Sequence, residues 1–160
     1  MAKNLDIHSQ ASKVEDIKKD WILLTKKIHL NPRDSKKWRL FMPVYDERFS
    51  LLEEFWEVKF VYNSVFFEQN NAAWNHYHHI KKEVLIPLAW EFEIHLTDVK
   101  TKKSIILNIS APTWEEWEEV IWIYVPLWVA HKVISKAKTW VLLVLASNPS
   151  DLSDEIEYEV

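Results

Sequence analysis

The chain has 160 residues, of which 48% are hydrophobic and 28% charged, and its formal net charge is −4. That length suits one domain able to bury about two-thirds of its unfolded surface. Scattered basic residues on an acidic chain argue against nucleic acid as a partner. The absence of cysteine excludes disulfides and thiolate sites, and no apolar run reaches the roughly 18 residues of a membrane span. A charged N-terminus without a signal-peptide core points to the cytoplasm.

Residues 1–20 are polar and are expected to form an N-terminal tail, in which Ser12 and Glu15 are spaced to cap a short helix through Lys19. The pattern changes at Trp21, where 21–160 begins as the folded domain. Ile22–Leu24 and Ile28–Leu30 are short apolar pieces, and Asn31-Pro32-Arg33-Asp34 reads as a turn. Arg39–Tyr45 and Val58–Phe67 read as strands, with a helical turn between them over Glu47–Phe55.

The clearest alternation follows at Phe92, Ile94 and Leu96, with Glu91, Glu93, His95 and Thr97 on the other face. A polar turn over Asp98–Lys103 and a strand over Ser104–Ile109 complete a hairpin. Pro112–Glu119 is acidic and loop-like. Ile121–Val125, Ala130–Ile134 and Val141–Ala146 are further strands, and the tail Asp151–Val160 is acidic. Eight or more short strands without a long helical period indicate an all-β barrel or sandwich.

The stretch that carries chemistry is Trp74–Trp90. On a strand, His76 and His78 point one way and Tyr77 and His79 the other. Two imidazoles about 7 Å apart on one face suit a metal or a single substrate. Glu83 adds a carboxylate, as a third ligand or as a base. His8, His29 and His95 read as surface residues, and His79 as outward-facing.

At this point the chain resembles the RmlC-like cupins. Their first motif is His-x-His, three or four residues, Glu, six residues, Gly; here it runs His76, His78, Glu83, Trp90. Their second motif, Pro-x-Gly-x-x-His, is matched by Pro126, Trp128 and His131. Further likeness, over about 21–160, is to the branch that acts on nucleotide sugars: 3,5-epimerases, 3,4-ketoisomerases and cupin domains of capsule-sugar reductases. The 3,5-epimerases read His-Tyr-Gln, which His78 does not match, and use a Tyr near the last strand that Val141–Ala146 lacks. The ketoisomerases read His-x-His, which fits. The capsule-type domains read His-Tyr-His-His-x-Lys-x-Glu, which His76 through Glu83 match fully, and that likeness implies zinc.

The resemblance implies a double-stranded β-helix, the cupin jelly roll, after a short N-terminal extension. It also implies a cluster of His76, His78, Glu83 and His131 inside the barrel. Three imidazoles and a carboxylate suit zinc and would also accept iron, nickel or manganese; without metal, the same residues would line a ligand pocket.

The implied reaction is proton transfer next to the ketone of a nucleotide sugar, with His76 or His78 as base. A metal or the cation of Lys82 would hold the enolate oxygen. Arg39, Tyr62 and Tyr124 are candidate substrate contacts. A metal-binding cupin without turnover is the alternative, and a homodimer is expected from the same likeness.

One feature of the composition stands apart: there is no glycine and there are ten tryptophans, against an average of about 7% glycine. The Trp positions coincide with places where such a family would carry glycine, so the chain reads as a cupin pattern with Trp in place of Gly. The other reading is a native Trp-rich barrel whose indoles stack on carbohydrate. Trp at a turn that needs positive φ costs roughly 1 kcal/mol or more.

Overall fold

The computed structural model describes the backbone of residues 11–19, 22–30, 33–36, 39–41, 57–111 and 120–160, and the side chains of 57–111 and 121–160. The first strands are β1 (Ala11–Lys19), β2 (Ile22–Leu30), β3 (Arg33–Lys36) and β4 (Arg39–Phe41). Then come β5 (Phe60–Phe66), β6 (Ala72–Tyr77), β7 (Glu83–Ala89), β8 (Glu91–Asp98) and β9 (Ser104–Ser110). The last are β10 (Val120–Val125), β11 (Val129–Ser135), β12 (Trp140–Ala146), a 3-10 turn at Leu152–Asp154 and β13 (Ile156–Glu157).

The strands form a six-stranded sheet in the order β1-β2-β10-β7-β12-β5, a five-stranded sheet in the order β13-β6-β11-β8-β9, and the small pair β3-β4. Among the described residues the strand pairings are antiparallel. One apolar core lies between the two large sheets. Leu85, Ile123, Val125, Leu142 and Val144 come from the first, and Phe92, Ile94, Leu96, Leu107, Val129 and Val133 from the second. The alternation of β8 does what the sequence implies: Phe92, Ile94 and Leu96 are fully buried because residues two apart share a face of a strand.

Three expectations change. Residues 12–19, read as a tail or short helix, lie in β1, which pairs with β2 from Ala11↔Leu30 to Lys19↔Ile22. The sheet edge supplies those backbone groups with partners, and this tertiary pairing overrides a weak capping signal. Arg33 and Asp34, read as part of a turn, begin β3, whose hairpin with β4 pairs Arg33 with Phe41. Thr97, assigned to the solvent face, is buried. Its hydroxyl shares a 2.8 Å hydrogen bond with Ser104, so its polar atom keeps a partner. The helical turn expected over Glu47–Phe55 and the loop at Pro112–Glu119 fall outside the described residues.

The tryptophans divide by physical role. Trp74, Trp90 and Trp128 have φ of 60°, 66° and 65°, the left-handed region where glycine alone carries no steric cost. Trp122 and Trp140 sit in strands, buried, and their indole N–H groups lack a hydrogen-bond partner. Trp140 is stacked on Phe66 with ring centroids 3.4 Å apart and meets Phe92 edge-on. Trp21, Trp38, Trp56, Trp114 and Trp117 are outside the described residues.

Candidate active site between the two sheets

Strand parity builds the site. On β11, Val129 and Val133 face the core, so His131 between them faces it too and is fully buried. On β6, the row that packs Trp74 against the core continues through His76 to His78. His131 and His76 are direct partners in the β11–β6 pairing. From the opposite sheet, β7 places Glu83 in the same row as the core residue Leu85. Three histidines of one sheet therefore meet a carboxylate of the other.

The rings of His76 lie 4.7 Å from His78 and 4.8 Å from His131, centroid to centroid. One ligand nitrogen from each of the three histidines falls within 4.8 Å of the others. Nε2 of His131 is 3.2 Å from Oε2 of Glu83, and Nε2 of His78 is 3.8 Å from it.

The two oxygens of Glu83 have different surroundings. Oε1 accepts a 3.0 Å hydrogen bond from the Tyr62 hydroxyl and lies 3.1 Å from Nζ of Lys81. Oε2 has no aligned hydrogen bond, and neither do Nε2 of His78 and Nε2 of His131.

The other ring nitrogens explain why. Nδ1 of His78 is 2.9 Å from the carbonyl oxygen of Asp154, and Nδ1 of His131 is 3.3 Å from that of Val129. A carbonyl only accepts, so the proton of each neutral ring belongs on Nδ1 and a lone pair on Nε2. Two lone pairs and a carboxylate oxygen then converge in a buried space, an arrangement that favours a shared proton or a cation. The donor set therefore fits a divalent metal.

Charge follows burial. His76 is lowered to about 3 by burial, with the neighbouring His131 and His78 adding to the effect. His78 is lowered as well, chiefly by burial, against the pull of Glu83. Burial opposes ionisation of Glu83, but His131, Lys81 and His78 outweigh it and hold the carboxyl below the usual range. Burial and the charge of Glu83 push the Tyr62 phenol up, which keeps it a donor.

His76, His78, Glu83 and His131 are thus brought together, and Tyr62 joins them. Tyr124 is not. It is buried and pairs with Val84, on the row opposite Ile123 and Val125, so it lies on the other face of the sheet from Glu83. The cation beside Glu83 is Lys81; Lys82, expected to hold the enolate oxygen, is half-buried, and its backbone N–H donates to Ser147 Oγ at 2.9 Å. Arg39 lies in β4, and its side chain is outside the described residues, as are those of His8 and His29. His79 is exposed; His95 is half-buried and paired with Glu93 at 2.7 Å.

Two residues were missed. Lys81 had a signal, since a residue two before Glu83 shares its face in an extended chain. Asp154 had none beyond its place in an acidic tail. Its carboxylate is buried and accepts the backbone N–H groups of His79, Ile80 and Lys81 at 2.8, 3.0 and 2.9 Å.

A model of the FdtA family, described as WxcM-like, C-terminal, matches residues 37–159. This chain belongs to that family. No curated protein sequence matches it. Among solved structures it is similar to QdtA, a sugar 3,4-ketoisomerase from Thermoanaerobacterium thermosaccharolyticum solved with TDP. The identity is 21%, covering 81% of this chain and 86% of that one, with a TM-score of 0.64. WlaRB, a TDP-quinovose 3,4-ketoisomerase from Campylobacter jejuni, is 21% identical over 82% of this chain and 92% of its own, with a TM-score of 0.63. The dTDP-6-deoxy-D-glucose-3,5-epimerase RmlC from Legionella pneumophila is 12% identical over 91% of this chain and 77% of its own, with a TM-score of 0.69. The fold is therefore the RmlC-like cupin jelly roll, as the motifs implied. Among the described residues, no helix is long and apolar enough to cross a membrane.

Proposed function

We propose that the protein is a cytoplasmic nucleotide-sugar isomerase or epimerase that moves a proton next to the ketone of a 4-keto-6-deoxyhexose. The observation that carries this reading is the convergence of His76, His78 and His131 on one face, with Glu83 opposite. Membership of the FdtA family and likeness to sugar ketoisomerases and epimerases support it.

His76 suits the base best. It is the least buried of the three rings, and burial keeps it neutral, so its lone pair is ready to take a proton from the carbon beside the ketone. His78 and His131, both buried, flank it. Tyr62, held protonated, is placed to donate toward the cluster. A bound nucleotide diphosphate brings negative charge, which strengthens the affinity of His76 for a proton.

A divalent metal such as zinc is proposed for the same cluster. Held by His78, His131 and Glu83, it leaves the lone pair of His76 free for the proton; held by His76 as well, it takes that lone pair and leaves no base there. When bound, it would supply a Lewis acid for the enolate oxygen. The convergence of unpaired acceptors also favours a second reading, a metal-binding cupin without turnover. A homodimer is proposed as well, supported by exposed Val61, Val65 and Phe67 on and beside edge strand β5.

The test is incubation with a dTDP-4-keto-6-deoxyhexose in heavy water, with and without added zinc. Deuterium entering at a carbon flanking the ketone is the expected result. No incorporation in either condition, with the protein folded, overturns the enzyme reading and leaves the metal-binding one.

A further inference from the structure

We propose that Lys81 is a positioning residue that, together with Tyr62, turns Glu83 so that only Oε2 faces His131 and His78. The inference deepens the assignment above and rests on it. Lys81 is a 3% exposed ammonium, 3.1 Å from Oε1 of Glu83 and 3.6 Å from Oε1 of Glu155 on the C-terminal segment. Its own backbone N–H is fixed by Oδ2 of Asp154 at 2.9 Å. Lysine is almost never buried to this extent unless paired. Burying a flexible four-carbon chain with its charge costs desolvation and rotamer entropy, and such pairs are weak evidence for stability. A positional role explains why the charge sits here.

The geometry supplies that role. Tyr62 and Lys81 both contact the same carboxylate oxygen, leaving Oε2 unpaired toward Nε2 of His131 and of His78. Two anchors on Oε1 fix the last torsion of Glu83. With the tyrosine alone, the carboxylate is free to swing about that bond. The choice of lysine over arginine fits the same logic. An ammonium is a point donor that engages one oxygen, whereas a guanidinium fork binds both oxygens of a carboxylate and would draw Oε2 away from the histidines.

The experiment uses K81M, K81R and the double variant K81M/E155Q, which also removes one of the two carboxylates paired with Lys81 and guards against a failure to fold. Two readouts are followed. The first is deuterium exchange on a dTDP-4-keto-6-deoxyhexose, resolved into kcat and KM. The second is the carbon-13 signal of the Glu83 carboxylate, assigned by its loss in E83Q. The expected result is a fall in kcat of about 10- to 100-fold, the usual range for residues that orient a ligating group, with KM little changed. K81R should fall as K81M does, and the Glu83 signal should move in every variant. A Glu83 signal unmoved in K81M or in the double variant, or a wild-type kcat in K81R, overturns the proposal. If the wild type itself exchanges no deuterium, the enzyme reading falls, and the Glu83 signal alone still decides the role of Lys81.

Discussion

Nε2 of His131 and Oε2 of Glu83 face each other at 3.2 Å across the space between the two sheets, one fully buried and the other 1% exposed. The charge that balances this carboxylate is the buried ammonium of Lys81, 3.1 Å from Oε1. Glu83→Gln keeps the shape but strips the anion from Lys81. A buried pair broken on one side costs about 3–5 kcal/mol, so E83Q should lower the urea-unfolding free energy by about 3 kcal/mol. Equal stability of the two proteins would show that Lys81 finds sufficient compensation in Glu155.

The pH dependence has a definite sign. His76 is lowered to about 3 in the folded state, from an ordinary value of about 6.5. Between those values the unfolded chain binds the extra proton, so stability falls as pH falls. Glu83 acts in the same direction, because its folded carboxyl is also held low: its contribution is present above the ordinary glutamate range and is lost as pH drops through it. Unfolding free energy should be flat from pH 7 to 8 and decline steadily from about pH 6.5 downward. In H76N the decline below about pH 6.5 should be shallower but still present, because His78 is lowered as well. An unchanged slope in H76N would count against a buried neutral His76.

Zinc should bind the folded protein and raise its thermal midpoint in a concentration-dependent way. At a free concentration 100 times Kd the gain is about 2.7 kcal/mol. H131A should abolish the effect, and a chelator should reverse it in the wild type. A midpoint indifferent to zinc would mean that the converging acceptors share a proton instead.

Trp90 gives the cleanest test of the tryptophan pattern. It is 65% exposed at φ 66°, so little packing is lost on truncation while the left-handed strain, about 1–2 kcal/mol, is relieved. Trp90→Gly should raise stability by about 1 kcal/mol in denaturant unfolding. Trp74→Gly should gain less, because the indole of Trp74 packs against the core and lies edge-on to His131 at 5.9 Å.

Much of the fold was legible because strand parity is local. The alternation at Phe92, Ile94 and Leu96 and the continuous run Val141–Ala146 mark buried strands whatever their neighbours. The glycine-dependent turns were legible too, since the motif spacing places Trp90 and Trp128 where a left-handed residue is needed. β1 was not legible, because its strand character comes from pairing with β2 and not from its own polar residues. Tyr124 was misjudged for a related reason: an aromatic in a strand carries no mark of which face will meet the site.

The sequence by itself determined that the chain is all-β, that His76 and His78 share a face, and that Glu83 and His131 stand at motif spacing from them. These follow from the two-residue period of a strand and from the order of the motifs. Only the tertiary structure decided that β6 and β11 lie side by side, that Glu83 meets them from the opposite sheet, and that Lys81 is the cation at its carboxylate. It also brought Asp154 from the C-terminal segment onto His78 and the β6–β7 loop. Those contacts join residues up to 76 positions apart, and no local pattern encodes them, because they depend on how two sheets close over one core.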